Sequence, residues 1–279
     1  MSIAKQTGVP VANIAKRNGR AWAALAKSMG RQLPAGGGSE SGTATTYLSV
    51  DFSDQSYTNT TTLPTGWAKT PNGTALYGST SYTISSSRGW RFDYNSTPSG
   101  GTGPNGGLSG GVDATTGTQS STNRYIFYES SSGGNGGQAV RTPSLDFSNA
   151  LANDTLKLTF WFHMYGSSNQ TQTFGVAATS SSTSPSSANE TITGSGFTAG
   201  SSGGLDILRW TNDTGTTTST SNRIAGSQNT GNTGLWRKAE VDLNGLAGQS
   251  SVYLHFMLVG VTYFRSDFAL DGIKIVGEE

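Results

Sequence analysis

"LKLTFWFHMYG", residues 156–166, decides how the rest of the chain is read. It has the length of a strand and is built from aromatic and aliphatic residues that suit a pleated, buried surface. Nine further runs share that character. "TYLSVDF", "SYTISS", "GWRFDY" and "RYIFYES" precede it, and "TFGVAAT", "LDILRW", "RKAEVDL", "VYLHFMLVG" and "FALDGIKIV" follow it. Polar loops rich in Gly, Ser and Thr separate the runs, and no segment there carries a helical period. Roughly ten short strands at this spacing predict an all-β fold, a jelly roll or two-sheet antiparallel β-sandwich, over residues 47–279.

Composition agrees with that reading. Charged residues make up 13% of the 279, and 39 are Gly, against about 25% charged in an average domain. Six Trp, ten Tyr and eleven Phe supply a core that a disordered chain would lack. There is no cysteine, which excludes disulfides, thiolate metal sites and cysteine nucleophiles. No apolar run has the length of a membrane span, so no membrane partner is expected.

Residues 1–31 differ from the rest. Ile3-Ala4-Lys5, Ile14-Ala15-Lys16 and Leu25-Ala26-Lys27 recur every 11 residues, and Gly8, Gly19 and Gly30 follow at one offset. Lys5, Lys16, Arg17, Arg20, Lys27 and Arg31 give this arm six positive charges and no acid, leaving 12 basic against 17 acidic residues beyond it. A Gly in every unit and Pro10 oppose one continuous helix, so short helical repeats are expected. Helices this short need a partner or copies of themselves. Residues 32–46, "QLPAGGGSESGTATT", read as a Gly/Ser-rich linker. Lys16, Arg17, Asn18 and Arg20 interrupt any apolar core that a secretion signal would need. Nucleic-acid binding by the arm is disfavoured, because its charges spread over three similar units and no third helix completes a helix-turn-helix. Docking on another protein fits better, with Ile3, Val9, Val11, Ile14, Ala21, Trp22, Leu25 and Met29 as the contact set.

"LTFWFHMYG" resembles the L-x-F-x-Y-H-M-x-G strand of MAM domains, which are jelly-roll modules. Other landmarks follow the family's order: Trp90, Thr97-Pro98-Ser99 and Thr102-Gly103-Pro104, then "RYIFYESS", "AVRTPSLDFS", "LRW", "LWRKAEVDL" and "SDFALDGIKI". The resemblance spans about residues 47–277 and implies the same jelly-roll fold. It departs from the family in lacking the disulfides of animal receptors, and Val112-Asp113-Ala114 stands where the family has D-H-T. A cysteine-free version suits folding in a reducing cytoplasm, and no receptor role carries over. The tandem I-A-K-x-x-G units resemble the N-termini of structural proteins of tailed bacteriophages.

Candidate chemistry is sparse. His163 and His255 both sit in strand runs, away from any nucleophile elbow, and read as buried structural histidines. No strand run sets two carboxylates on one face between aromatics as a glycosidase would. Asp267 and Asp271 are spaced i, i+4, and with Asp51 and Asp54 they offer oxygen ligands for a structural calcium. Tyr57, Trp67, Tyr77, Tyr82, Trp210, Tyr263 and Phe264 lie near loop boundaries, where a sugar platform would form, or else belong to the core. Trp90, Trp161 and Trp236 are assigned to the core. These readings point to a non-enzymatic structural or accessory protein of a bacteriophage virion, assembled in the host cytoplasm. Its arm would dock on portal, neck, capsid or tail proteins within a homo-oligomer, and its jelly roll would meet host-surface glycans. The alternative is a secreted or surface carbohydrate-binding or adhesion module.

Overall fold

In the three-dimensional structure, a computed structural model, the run that opened the sequence forms most of a 12-residue strand, β10 (Thr155–Gly166). Its first half alternates: Thr155 and Lys157 are exposed, while Leu156, Leu158 and Phe160 are buried. From Phe160 on nearly every side chain is buried, so this half is covered on both faces. The structure describes residues 44–53, 62–69, 73–77, 80–84, 90–129, 136–150, 155–166, 173–180, 208–212, 215–217, 224–225, 227–231, 234–261 and 266–278. The arm and most of the linker lie outside them. Thr45 and Thr46, read as the end of the linker, already pair with Gly277 and Val276 in a strand.

Two sheets form the fold among the described residues. The first runs β13 (Gly215–Thr217), β12 (Leu208–Asn212), β15 (Arg237–Asp242), β10, β17 (Ser266–Glu278), β8 (Tyr125–Tyr128) and β5 (Arg91–Asp93), with β1 (Thr45–Val50) also on β17. The second runs β14 (Ile224–Ala225), β11 (Thr173–Thr179), β16 (Tyr253–Val261), β9 (Gly136–Arg141), β4 (Thr80–Ile84) and β3 (Gly73–Tyr77), with β2 (Ala68–Lys69) also on β9. A two-residue ladder joins β6 (Gly107–Leu108) to β7 (Gln119–Ser120). Every pairing is antiparallel except the single contact of β4 with β9. The sandwich expected from strand number and spacing is therefore the fold observed.

Aromatic side chains weld the two sheets. Phe174 of β11 stacks on Phe268 of β17 with ring centroids 4.1 Å apart. Phe160 of β10 meets Phe256 of β16 edge-on at 5.5 Å. Both pairs cross between sheets, and edge-on or offset geometry adds to the burial of large apolar area. Leu156, Leu158, Val176, Leu254, Leu258, Leu270, Ile273 and Ile275 fill the same core.

A smaller second cluster lies on the other side of the first sheet. It contains Leu108, Tyr125, Phe127, Trp161, Trp236 and Ala269. Loops cover it closely. Trp236 donates its indole N–H to the Gly106 carbonyl at 3.1 Å and its backbone N–H to the Gly117 carbonyl at 2.9 Å. A Cβ on Gly117 would stand 1.9 Å from the Trp236 carbonyl oxygen, so only Gly fits that approach.

Phe160→Ala is expected to cost about 3–5 kcal/mol, the range for emptying a buried aromatic site. Lys157→Ala, three residues earlier, should cost less than about 1 kcal/mol, because its 3.7 Å pair with Glu240 is solvent-exposed. Urea unfolding of both variants checks the contrast. Equal losses would contradict the inward and outward assignment of β10.

Candidate functional site

Strand parity sorts the polar residues. Phe268 and Leu270 of β17 face the sandwich core, so Asp267, Ala269 and Asp271 face outward. β10 pairs Tyr165 with Asp267, His163 with Ala269 and Trp161 with Asp271, which puts His163 on the same outer face. That face is buried under the loops, and each polar group on it has been given a bonding task.

Asp267 accepts hydrogen bonds from the hydroxyls of Thr97, at 3.4 Å, and Thr102. Glu129 accepts the Ser99 hydroxyl at 2.8 Å and the Ser99 N–H at 3.2 Å. Two buried carboxylates therefore clasp the 97–104 loop, the same stretch that carried part of the MAM resemblance. Asp271 accepts the Leu108 N–H at 2.8 Å and the Gly272 N–H at 2.7 Å. Burial pushes its pKa well above the usual carboxylate range, the two N–H bonds oppose the rise, and nearby Asp51 adds to it. Tyr125, whose hydroxyl donates to the Asn95 carbonyl at 2.5 Å, is also held up by burial and by Asp93, Asp267 and Glu129.

The calcium ligands expected from spacing do not converge among the described residues. Asp267 and Asp271 share a face but serve different partners, Asp51 stands near Asp271 alone, and Asp54 lies outside the described residues. No group of three metal-ligating side chains occurs there, whereas calcium takes six or more oxygens.

The histidines also carry structural bonds. His163 donates from Nε2 to the Gly231 carbonyl at 2.7 Å, and its Nδ1 is buried without a partner. The neighbouring Met164 binds the same loop: its N–H donates to the Asn229 side chain at 2.8 Å, and its carbonyl accepts the Gln228 and Asn229 N–H groups. On the second sheet, His255 Nε2 and the Thr179 hydroxyl lie 2.8 Å apart.

Sugar-platform candidates scatter. Trp67 is buried, against Phe52 at 5.9 Å and Phe256 at 6.1 Å, so it belongs to the core and not to a platform. Tyr77, Tyr82 and Trp210 lie on β3, β4 and β12, pairing with Thr80, Ala75 and Ala239. Tyr57, Tyr263 and Phe264 lie outside the described residues, as do the arm residues Ile3 to Met29. Trp90, Trp161 and Trp236 are buried as expected, although the last two sit in the second cluster.

Residues that sequence reasoning passed over meet on the outer face of the second sheet. Arg141 ends β9, pairs with His255 of β16 on one side and with Ala68 of β2 on the other. Its guanidinium carbon lies 4.9 Å from the Tyr253 ring centroid. Nη1 reaches the Thr142 carbonyl at 3.4 Å, and Nε is buried with no hydrogen-bond partner. A buried donor left unpaired costs about 1–3 kcal/mol unless a ligand takes it up. Tyr253 and Arg141 are both partly exposed, so this cluster is accessible. The alternation of Tyr253, His255 and Met257 against Leu254, Phe256 and Leu258 could have marked the face from sequence alone.

Acid should loosen the fold through the histidines. Burial holds His163 down to about 4; burial and then Arg141 hold His255 down to about 3. Both lie below the ordinary 6.5, so between those values the unfolded chain binds more protons than the folded one. Their stabilisation is complete above pH 6.5 and is lost as pH falls towards 4, by about 3 kcal/mol for His163. Thermal melting of the wild type should drop over that window, and His163→Gln with His255→Gln should flatten the profile. A wild-type melting temperature constant from pH 7 to 4.5 would contradict the burial of both rings.

No protein-family model matches the chain, and no curated protein matches it. Solved structures resemble it at low similarity. The K3 cleaved adhesin domain of Lys-gingipain from Porphyromonas gingivalis is 16% identical at a TM-score of 0.40, covering 84% of this chain and 99% of that one. A Stig cyclase from Fischerella is 11% identical at 0.41, covering 85% and 98%. The CBM22-1 xylan-binding domain of Paenibacillus barcinonensis Xyn10C is 9% identical at 0.33, covering 87% and 99%. These are an adhesin domain, a cyclase and a xylan-binding domain, and likenesses this distant assign none of these roles here.

Proposed function

We propose that residues 44–279 form a non-catalytic recognition module that binds carbohydrate on an exposed face, as adhesion modules do. One observation carries this reading. Five described groups suited to acid–base chemistry, His163, His255, Glu129, Asp267 and Asp271, are buried and bonded to the fold's own loops and strands. A general acid or base must reach substrate, so these groups serve the scaffold. The accessible features are of a different kind: a cation stacked on an aromatic ring, Arg141 on Tyr253, and a second such pair, Arg124 over Tyr94 at 5.7 Å. Planar donors beside aromatic rings suit recognition of polar rings with hydroxyls.

The basic repeat arm favours a second, compatible reading of where the module works. Its 11-residue period, six positive charges and following linker support docking on a larger assembly, here a bacteriophage particle, with the sandwich displayed outward.

Two measurements test these readings. The full chain, printed against a glycan array, should bind a subset of glycans in the micromolar to millimolar range, with no release of reducing sugar. Array silence would sink the recognition reading, and turnover would sink the non-catalytic one. For the arm, a chain lacking residues 1–31 should fail to co-purify with particles assembled in its presence, whereas normal incorporation would remove the docking role.

A further inference from the structure

Arg141 is a cation with its bonding unfinished. Of its five N–H donors, the structure pairs one, at 3.4 Å to the Thr142 carbonyl, and leaves Nε–H buried without a partner. No carboxylate among the described residues is paired with it. The neighbouring His255 supplies no counter-charge, and its ring lies 2.8 Å from the Thr179 hydroxyl. The Tyr253 ring lies against the guanidinium, its centroid 4.9 Å from the guanidinium carbon. The hydroxyls of Ser144 and Ser251, exposed and 3.4 Å apart, lie beside the Leu145–Val252 bridge, just before Tyr253.

We propose that Arg141, propped on Tyr253, binds the anionic substituent, carboxylate or sulfate, of an acidic sugar unit. This rests on the carbohydrate-recognition reading above and names the sugar chemistry it selects. A guanidinium fork matches an oxyanion in a two-point, charge-assisted pair that an ammonium cannot reproduce. A single fork fits one charged sugar among neutral neighbours. A phosphate backbone would instead require a stripe of cations, and the body beyond the arm is acidic, with 12 basic against 17 acidic residues.

The test uses the full chain with Lys5, Lys16, Arg17, Arg20 and Lys27 each changed to Gln, so that the arm does not bind polyanions. Titration calorimetry compares tri-galacturonate, its methyl ester, a 6-sulfated galactose trimer and the neutral galactose trimer. Binding of the carboxylate or the sulfated trimer, with the neutral forms and Arg141→Gln each weaker by about tenfold or more, is the expected result. Which of the two anions binds separates the two sources. Arg141→Lys keeps the charge and loses the fork, and should fall between. If Arg141→Gln fails to fold, a folded Arg141→Lys with wild-type affinity overturns the proposal. Neutral trimers binding as well as charged ones, untouched by Arg141→Gln, overturn it while leaving carbohydrate recognition intact. Silence with all four trimers overturns this proposal, and the recognition reading falls with it only if the glycan array is silent too.

Discussion

Phe268 stacks on Phe174 across the two sheets at 4.1 Å and on Phe162 of its own sheet at 6.1 Å. This aromatic layer decides which face of β10 and β17 looks inward. Because strand side chains alternate strictly, seating Phe162, Met164, Phe268 and Leu270 in the core forces Trp161, His163, Asp267 and Asp271 to the other side. That side holds groups that would be costly to bury unpaired. The loops around 97–123 and 227–236 solve the problem by bringing hydroxyls, backbone N–H groups and a carbonyl to each of them. The loop layer is thus a consequence of the core register.

This ordering separates scaffold from function. Around the second half of β10 the first sheet is covered on both faces, and Glu129, Asp267, Asp271 and His163 there hold loops in place. The second sheet presents Arg141 and Tyr253 at the ends of β9 and β16, partly open to solvent and with a donor unsatisfied. The scaffold carboxylates are bonded within the chain, whereas Arg141 has no carboxylate partner among the described residues.

Much of the fold was legible in the sequence because long buried strands announce themselves by content. The ten quoted runs each hold a strand. The strands not foreseen are β2, β3, β6, β7, β9, β13 and β14, short segments such as "GTT" and "GGQAVR" whose Gly and Thr look like loop until a neighbour pairs with them. The site was harder to read. Trp67 follows a Pro-Thr-Gly turn and so resembles a loop aromatic, yet it packs between Phe52 and Phe256. Asp267 and Asp271 have the spacing of paired ligands, but the loops that reach them differ, and long-range loop placement is not written in local spacing. Nothing in the local sequence distinguishes Arg141 from a solvated charge. Only the structure shows that its Nε is buried and that its guanidinium lies over a ring 112 residues away in sequence.

The central claim is that recognition belongs to the outer face of the second sheet, while the polar layer on the first sheet is structural. Hydrogen–deuterium exchange of the full chain, with and without a glycan it binds, reads both faces at once. The account predicts slowed exchange over residues 138–145 and 249–258, with residues 97–129 and 227–236 unchanged. Protection confined to residues 97–129 and 227–236 would contradict it and place the binding surface on the loop layer.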